Sequence, residues 1–535
     1  MTAASTPLLA PLSAGLLRSL GAAGPGDIQA PSIDYKGLSP LLIVFAIALV
    51  GVGVEAFAPA RLRRPLQIPL AMGGFTAALV AVVLLRSRQQ IIAVGAVALD
   101  GPALFLEGSI LVLAMGALLL LAERSTDSTG GALVASPAAL PGSPEAGALL
   151  LSRDTTTEAF PLMVFSVGGM MLFAAANTLL VMFVALEILS LPLYLMAGLA
   201  RRRRLLSQEA AMKYFLLGAF SSAFFVYGLA LLYGFAGSVQ LSAIHDAVVQ
   251  TGKNDTYLFL GMALLAVGLL FKIGAVPFHA WTPDVYQGAP TPVTAFMASV
   301  TKVAAFGALL RVFYVAFGTS RWDWRPFMWA IAILTMVVGA VLAITQSDVK
   351  RMLAYSSIAH AGFILVGVTA ANNDGLAGSL FYLLTYGLTI IGAFAVVGLV
   401  RDGPAEANHL ARWAGLGKRA PFIAGSFAFF LFAMAGIPLT SGFIGKFAIF
   451  SAAISGHALG LVVVAVVTSA VTAFFYARVV VLMFFTEPAA DGPTVAVPSG
   501  YTAGALGLGL ASTLLLGVVP GSILDLAHNA AQFVR

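Results

Sequence analysis

Four charged side chains stand inside otherwise apolar runs of this chain. Glu187 lies in LLVMFVALEILSLPLYLM and Lys302 in PVTAFMASVTKVAAFGALL, while Lys272 and Lys446 sit beside proline-broken stretches, FKIGAVPFHAWTPDVYQGAPTP and GIPLTSGFIGKF. In a membrane helix each such charge carries an insertion cost of about 2.5–3.5 kcal/mol, so it is retained for a function or a partner. Proton transfer is the chemistry this set suits. Burial penalises an ammonium, so a desolvated lysine releases its proton readily, and a nearby carboxylate opposes the release. Moving Glu187 toward or away from a lysine would switch that lysine between holding and expelling a proton. One buried Glu–Lys pair can be plain glue between helices; four such residues favour a shared task.

The prolines belong to the same argument. Pro277 lacks an N–H and clashes with the carbonyl four residues earlier, so it opens the helix beside Lys272, and Pro438 does the same near Lys446. Unpaired backbone at membrane depth is tolerated only inside protein or along a wet cavity. Freed carbonyls, Lys272 and His279 together therefore predict internal water at the break. Asp284 and Tyr286 fall at the rim of the same stretch, where they would cap or line an entrance. His279 and His360 read equally as core histidines or as relay groups. Lys213 follows a basic loop and reads by position as an interfacial lysine, and Arg311 and Arg478, near span ends, read as anchors.

These residues need a membrane scaffold, and the composition supplies one. Of 535 residues 60% are hydrophobic and only 10% charged, against about 25% charge in a soluble domain; mean hydropathy is +0.96. Apolar runs of membrane-crossing length recur near 39–58, 66–85, 104–122, 160–176, 178–200, 211–236, 257–280, 290–316, 326–345, 353–370, 376–400, 421–450, 457–485 and 501–520, about fourteen in all. The fold class is an all-α polytopic membrane protein. The segment 1–38 reads as an N-terminal extension without the basic start and unbroken core of a signal peptide, and 123–158 as a polar, flexible cytoplasmic loop.

Basic residues favour the loops after odd-numbered spans (RLRR, RRRR, VKR, KR) by about fifteen to about five, which puts those loops in the cytoplasm and both termini outside. That bias also accounts for the net charge of +6 without nucleic acid. The absence of cysteine excludes disulfides and thiolate-bound metal, and the six histidines lack the spacing that holds a haem. Any electron-transfer chemistry would lie in another chain. The sequence also echoes itself: KYFLLGAFSS against LFYLLTYGLT, Glu187 against His360, and Lys272 with Pro277 against Lys446 with Pro438. Two five-helix units beginning on opposite sides would form an inverted repeat with broken helices along the pathway.

The run LLFKIGAVPFHAWTPDVYQGAPTPVTAFMASVTKVAAFGALLR, with EAAMKYFLLGAFSSAFFVYGLALLYG, QSDVKRMLAYSSIAHAGF and GIPLTSGFIGKF, resembles the antiporter-like subunits of respiratory complex I from about residue 39 to 520. FMASVTKV, where sister subunits carry histidine, and the absence of a long lateral helix after span fourteen favour the N-type branch. The resemblance implies fourteen helices, spans 1–3 over 39–122, inverted repeats over 159–316 (spans four to eight) and 317–486 (nine to thirteen), broken spans seven and twelve, and 487–535 for span fourteen and the tail. It implies a proton relay of Glu187, Lys213, Lys272, Lys302 and Lys446, with His279, His360, Tyr286 and Asp284 as possible lining. It implies no cofactor here, with flavin, iron–sulfur clusters and quinone handled by other subunits. Expected partners are the neighbouring membrane subunits M, J and K and lipid, in a bacterial cell membrane. A subunit of a multisubunit Na+/H+ antiporter, or a noncatalytic scaffold, are the rival readings.

Overall fold

The computed structural model describes residues 33–125, 131–134, 136, 138–151, 156–250, 255–403, 405–488 and 492–534. The expected extension 1–38 falls almost wholly outside these residues, and the 123–158 loop partly so. Twelve described helices are long and apolar enough to cross a membrane, and three shorter apolar ones complete the set.

In chain order spans one to three are Ser39–Phe57, Ala60–Leu84 and Gly101–Leu121. Spans four to six are Ala159–Ala175, Leu179–Ala197 and Arg204–Ala236. Span seven is split into Asp255–Ile273 and Trp281–Gly288, and span eight runs Thr291–Ala316. Spans nine to eleven are Arg321–Ile344, Val349–Ala370 and Asn373–Leu399. Span twelve is split into Pro421–Ala435 and Ser441–Ser455; thirteen is Leu459–Phe485, fourteen Gly500–Val518, and a short helix Gly521–Ala530 follows. Spans four to eight and nine to thirteen thus repeat one plan, each with its fourth member broken. Five crossings are an odd number, so the second unit starts on the opposite side and is inverted.

Local chemistry sets the helix starts. Asp348 accepts the amides of Lys350 and Arg351 at the head of span ten (2.9 and 3.1 Å), and Thr178 and Asn372 cap spans five and eleven in the same way. Span eight is wholly enclosed and spans ten and eleven nearly so, whereas one, six and fourteen turn most of their surface outward. Glycines allow the tight pairs: a Cβ at Gly228 would meet the backbone N of Leu265 at 2.5 Å between spans six and seven. Such close approach is how membrane helices gain packing when lipid is as apolar as their side chains.

The two breaks are made alike, and by glycine more than by proline. Gly274 (φ +77°) and Gly436 (φ +88°) each end a helix in the left-handed region. In both, the second amide beyond the helix donates five residues back, Ala275 to Leu270 (3.0 Å) and Ile437 to Phe432 (3.1 Å). Measured from this common landmark, Lys272 and Lys446 fall on opposite sides of their breaks. Lys446 follows its glycine by ten residues, as Asp284 follows Gly274, whereas Lys272 precedes the first break. Lys272 therefore lies in the half-helix before its break and Lys446 in the half-helix after its own.

Candidate proton-handling site

The three lysines are buried and each is held differently. Lys272, in the last turn before the first break, has Tyr194 Oη as a hydrogen-bond acceptor at 3.4 Å, and its ammonium lies 5.2 and 5.4 Å from the ring centres of Tyr194 and Tyr214. Aromatic faces attract a cation without binding its protons tightly. Glu187, half-buried on span five, lies close enough to Lys272 to act on it electrostatically. Lys302 donates to the Ser357 carbonyl at 2.7 Å. Lys446 donates to the Met434 and Ala435 carbonyls and to Ser469 Oγ, each at 2.9 Å.

At the first break two of the carbonyls near Lys272 are taken up by the protein itself. The Leu270 carbonyl accepts the amides of Gly274 and Ala275, and the Phe271 carbonyl accepts the Trp281 indole N–H at 2.9 Å. Val276 N donates to Thr335 of span nine. Only the second break offers its terminal carbonyls to its lysine. Pro277 and Ala280 are exposed and His279 half-exposed, with its Nδ1 buried and without a partner among the described residues.

Between Lys302 and Lys446 runs a set of polar side chains the sequence reading largely missed. The Lys302 ammonium sits 5.8 Å from the Tyr386 ring, which lies 4.8 Å from the His360 ring. His360 Nδ1 is 2.7 Å from Tyr382 Oη and its Nε2 is 3.2 Å from Tyr476 Oη, which pairs closely with Ser356. Tyr382 lies against Gly445, next to Lys446. His360 was legible as a polar residue mid-helix. The tyrosines were not, because an aromatic on an apolar helix reads as packing.

A wide π turn, Met297–Thr301, immediately precedes Lys302 and was also not foreseen. The extra residue in the turn shifts the face on which Lys302 emerges, and such turns concentrate at functional sites.

At one rim of the bundle, expected from the basic loops to be the cytoplasmic one, Asp284 joins the two repeats. Its carboxylate accepts Lys213 Nζ of span six (2.7 Å) and Arg351 of span ten (2.6 Å), while Glu209 shares Lys213. Lys213 is therefore at the rim, partly exposed, and not among the buried lysines. Tyr286, buried just beyond, packs edge-on against Trp281 and Phe394. Lys350, counted in sequence with a basic loop, is buried and donates to the Ala289 carbonyl (2.8 Å), fixing the turn before span eight. Arg311 is no anchor: it is fully buried and grips Asp100 through both terminal nitrogens at 2.9 and 2.7 Å. Arg478, in contrast, donates to the Ile344 carbonyl from an exposed position.

The transmembrane family described as NADH:quinone oxidoreductase/Mrp antiporter matches residues 176–472. NADH-quinone oxidoreductase subunit N of Parafrankia sp. (strain EAN1pec) is 67% identical over 95% of this chain and 97% of its own length. That of Rhodococcus opacus (strain B4) is 60% identical over 95% and 98%. The chain belongs to the NADH-quinone oxidoreductase subunit N family. Among solved structures, a chain of respiratory complex I from Thermus thermophilus with bound aureothin matches this subunit N family member with a TM-score of 0.74. It is 33% identical over 91% of this chain and 99% of that one. A chain of the Mrp complex from Dietzia sp. DQ12-45-1b shares the fold, with a TM-score of 0.77 at 22% identity over 93% and 97%. The antiporter-like fold expected of spans four to thirteen is thus common to both kinds of complex.

Proposed function

We propose that this subunit N family member carries protons across the membrane along the buried line from Glu187 through Lys272 and Lys302 to Lys446, driven by redox chemistry in other subunits. The observation that carries the reading is a set of buried polar atoms lacking a hydrogen-bond partner among the described residues, four of which stand beside the lysines and Glu187: Glu187 Oε1, Tyr214 Oη, Thr301 Oγ1 and Ser441 Oγ. An unsatisfied buried group costs about 1–3 kcal/mol, and water is the usual partner where the site is polar. These four atoms mark where water joins one proton carrier to the next.

A proton enters from the cytoplasmic side past Lys213, Asp284 and Tyr286 and resides on Lys272 or Lys302. Tyr386, His360, Tyr382 and Tyr476 relay it to Lys446, and it leaves on the outer side. Each lysine accepts a proton as its amine and releases it as its ammonium. Glu187 approaching Lys272 holds the proton there, and Glu187 withdrawing expels it. His279, half-exposed at the first break, would line the path there. In this reading both termini face outward, and the chain divides at 39–122, 159–316, 317–486 and 487–535. It sits in the bacterial cell membrane beside subunits M, J and K, with flavin, iron–sulfur clusters and quinone bound elsewhere.

The test is proton pumping per electron in the assembled complex carrying Lys272→Ala or Glu187→Gln. A several-fold fall with electron transfer to an artificial acceptor intact is expected. Native pumping in both variants would leave only a scaffold, and pumping that demands Na+ would favour the antiporter reading.

A further inference from the structure

Spans one to three lie outside the two repeats, yet span three carries a carboxyl deeper in the protein than any function assigned so far requires. Glu107 is 4% exposed, and none of the hydrogen bonds or ion pairs among the described residues involves it. Asp100, two turns earlier on the same face of span three, makes the contrast. It accepts both terminal nitrogens of Arg311, the Ala103 amide at 3.0 Å and the Val534 amide at 3.2 Å. Buried polar groups kept for packing are matched in that way; an unmatched one calls for another explanation.

The surroundings point to protons. Span three packs against span eight so closely that a Cβ at Gly307 would meet Leu106 at 2.8 Å. Gly307 lies five residues, about 7.5 Å of helix, outward of Lys302. Glu107 therefore stands beside span eight at a level between Lys302 and Arg311. The charged groups that act on it are Arg311 and Asp100, which form a fully enclosed pair of no net charge. Outward of that pair the segment 531–534 closes the end, with the Phe533 ring 5.0 Å from the Arg311 guanidinium carbon. Arg311 is followed at once by a second π turn, Val312–Ala316, just as Lys302 is preceded by the first.

We propose that Glu107 is a further proton-binding site, on an arm that branches outward from Lys302 along the span three–span eight interface. The proton leaves the Lys302 ammonium and forms an O–H bond on the Glu107 carboxylate, giving a neutral amine and a neutral acid. No net charge is created in the dry interior, which is where charge is most costly. The Asp100–Arg311 pair and the 531–534 segment separate this site from the outer surface, so the arm stores a proton unless that seal opens.

The inference rests on the proton-relay reading, and one experiment distinguishes the failure of each. Complexes carrying Glu107→Gln and Lys272→Ala are assayed side by side for pumping, for assembly through electron transfer to an artificial acceptor, and for the carboxylic-acid C=O stretch in infrared difference spectra. Glu107→Gln is expected to assemble, to lose a turnover-linked carboxyl band, and to pump several-fold more slowly. Native pumping with no lost band overturns the site while leaving the relay standing if Lys272→Ala is impaired; native pumping in both overturns the relay first. Should Glu107→Gln not assemble, Glu107→Asp decides. A shifted pH profile of pumping is expected from a displaced acid, and an unshifted profile at the native rate overturns the site.

Discussion

Lys272 and Lys446 face the same difficulty, an ammonium within a bilayer, and meet it differently. Lys446 has three oxygen acceptors at 2.9 Å, while Lys272 has aromatic faces and one hydroxyl at 3.4 Å. Lys446 thus has fixed dipoles aimed at its Nζ, whereas the charge that acts on Lys272 is that of Glu187. Ser469→Ala removes one of the three acceptors and is expected to leave assembly intact while altering the pH dependence of pumping. Glu187→Gln should act chiefly on Lys272, so combining the two should give nearly independent losses. Tyr382→Phe deprives His360 Nδ1 of its 2.7 Å partner and is expected to slow pumping several-fold with normal assembly, measured as protons per electron in vesicles. An unchanged ratio would remove Tyr382 from the relay.

The broken helices and the span three–span eight contact carry the next set of consequences. An Ala at Gly436 must adopt φ +88°, which disfavours an L side chain by about 1–2 kcal/mol. Its Cβ would also press on Lys446 Cδ at 3.0 Å. Gly274→Ala meets Thr282 Oγ1 instead, at 2.9 Å. Both variants should lower the melting temperature of the assembled complex, but Gly436→Ala should lose more pumping per degree lost. Asp100→Asn leaves the Arg311 charge buried without its counter-charge, a change that costs about 3–5 kcal/mol. Reduced assembly, recovered largely by Asp100→Leu with Arg311→Met, is the expected outcome on native gels.

Across the whole molecule the helix ends on one side are tied by polar contacts that join segments remote in sequence. Glu123, at the end of span three, accepts the Ser499 hydroxyl at 2.5 Å and amide at 3.2 Å, and the Ser125 amide and hydroxyl at 2.6 and 2.7 Å. Burial alone would raise its pKa, but the hydrogen bonds from Ser499, Thr502 and Ser125 outweigh it and hold the carboxyl at about 2. A depressed value contributes stability that is fully present above the ordinary carboxylate range and is lost as pH falls through about 2. The tether should therefore persist through mild acid. Hydrogen exchange at the start of span fourteen should stay slow down to that range in the native chain and be fast at all pH values in Glu123→Gln.

Much of this architecture was legible in the linear chain because a bilayer imposes its rules locally. Apolar length alone located the spans, and a charge such as Glu187 or Lys302 stands out against lipid whatever surrounds it. The breaks at spans seven and twelve were visible as prolines, although the helices end at Gly274 and Gly436, whose left-handed backbone no propensity reveals in advance. What a polar side chain touches depends on residues distant in sequence, and there the linear reading stopped. It could not tell that Arg311 turns inward to Asp100 while Arg478 stays at the rim. Nor could it tell that Lys213 meets Asp284, or that Tyr382 and Tyr476 flank His360. The membrane determines which segments cross, and packing between helices determines which of their polar groups become neighbours.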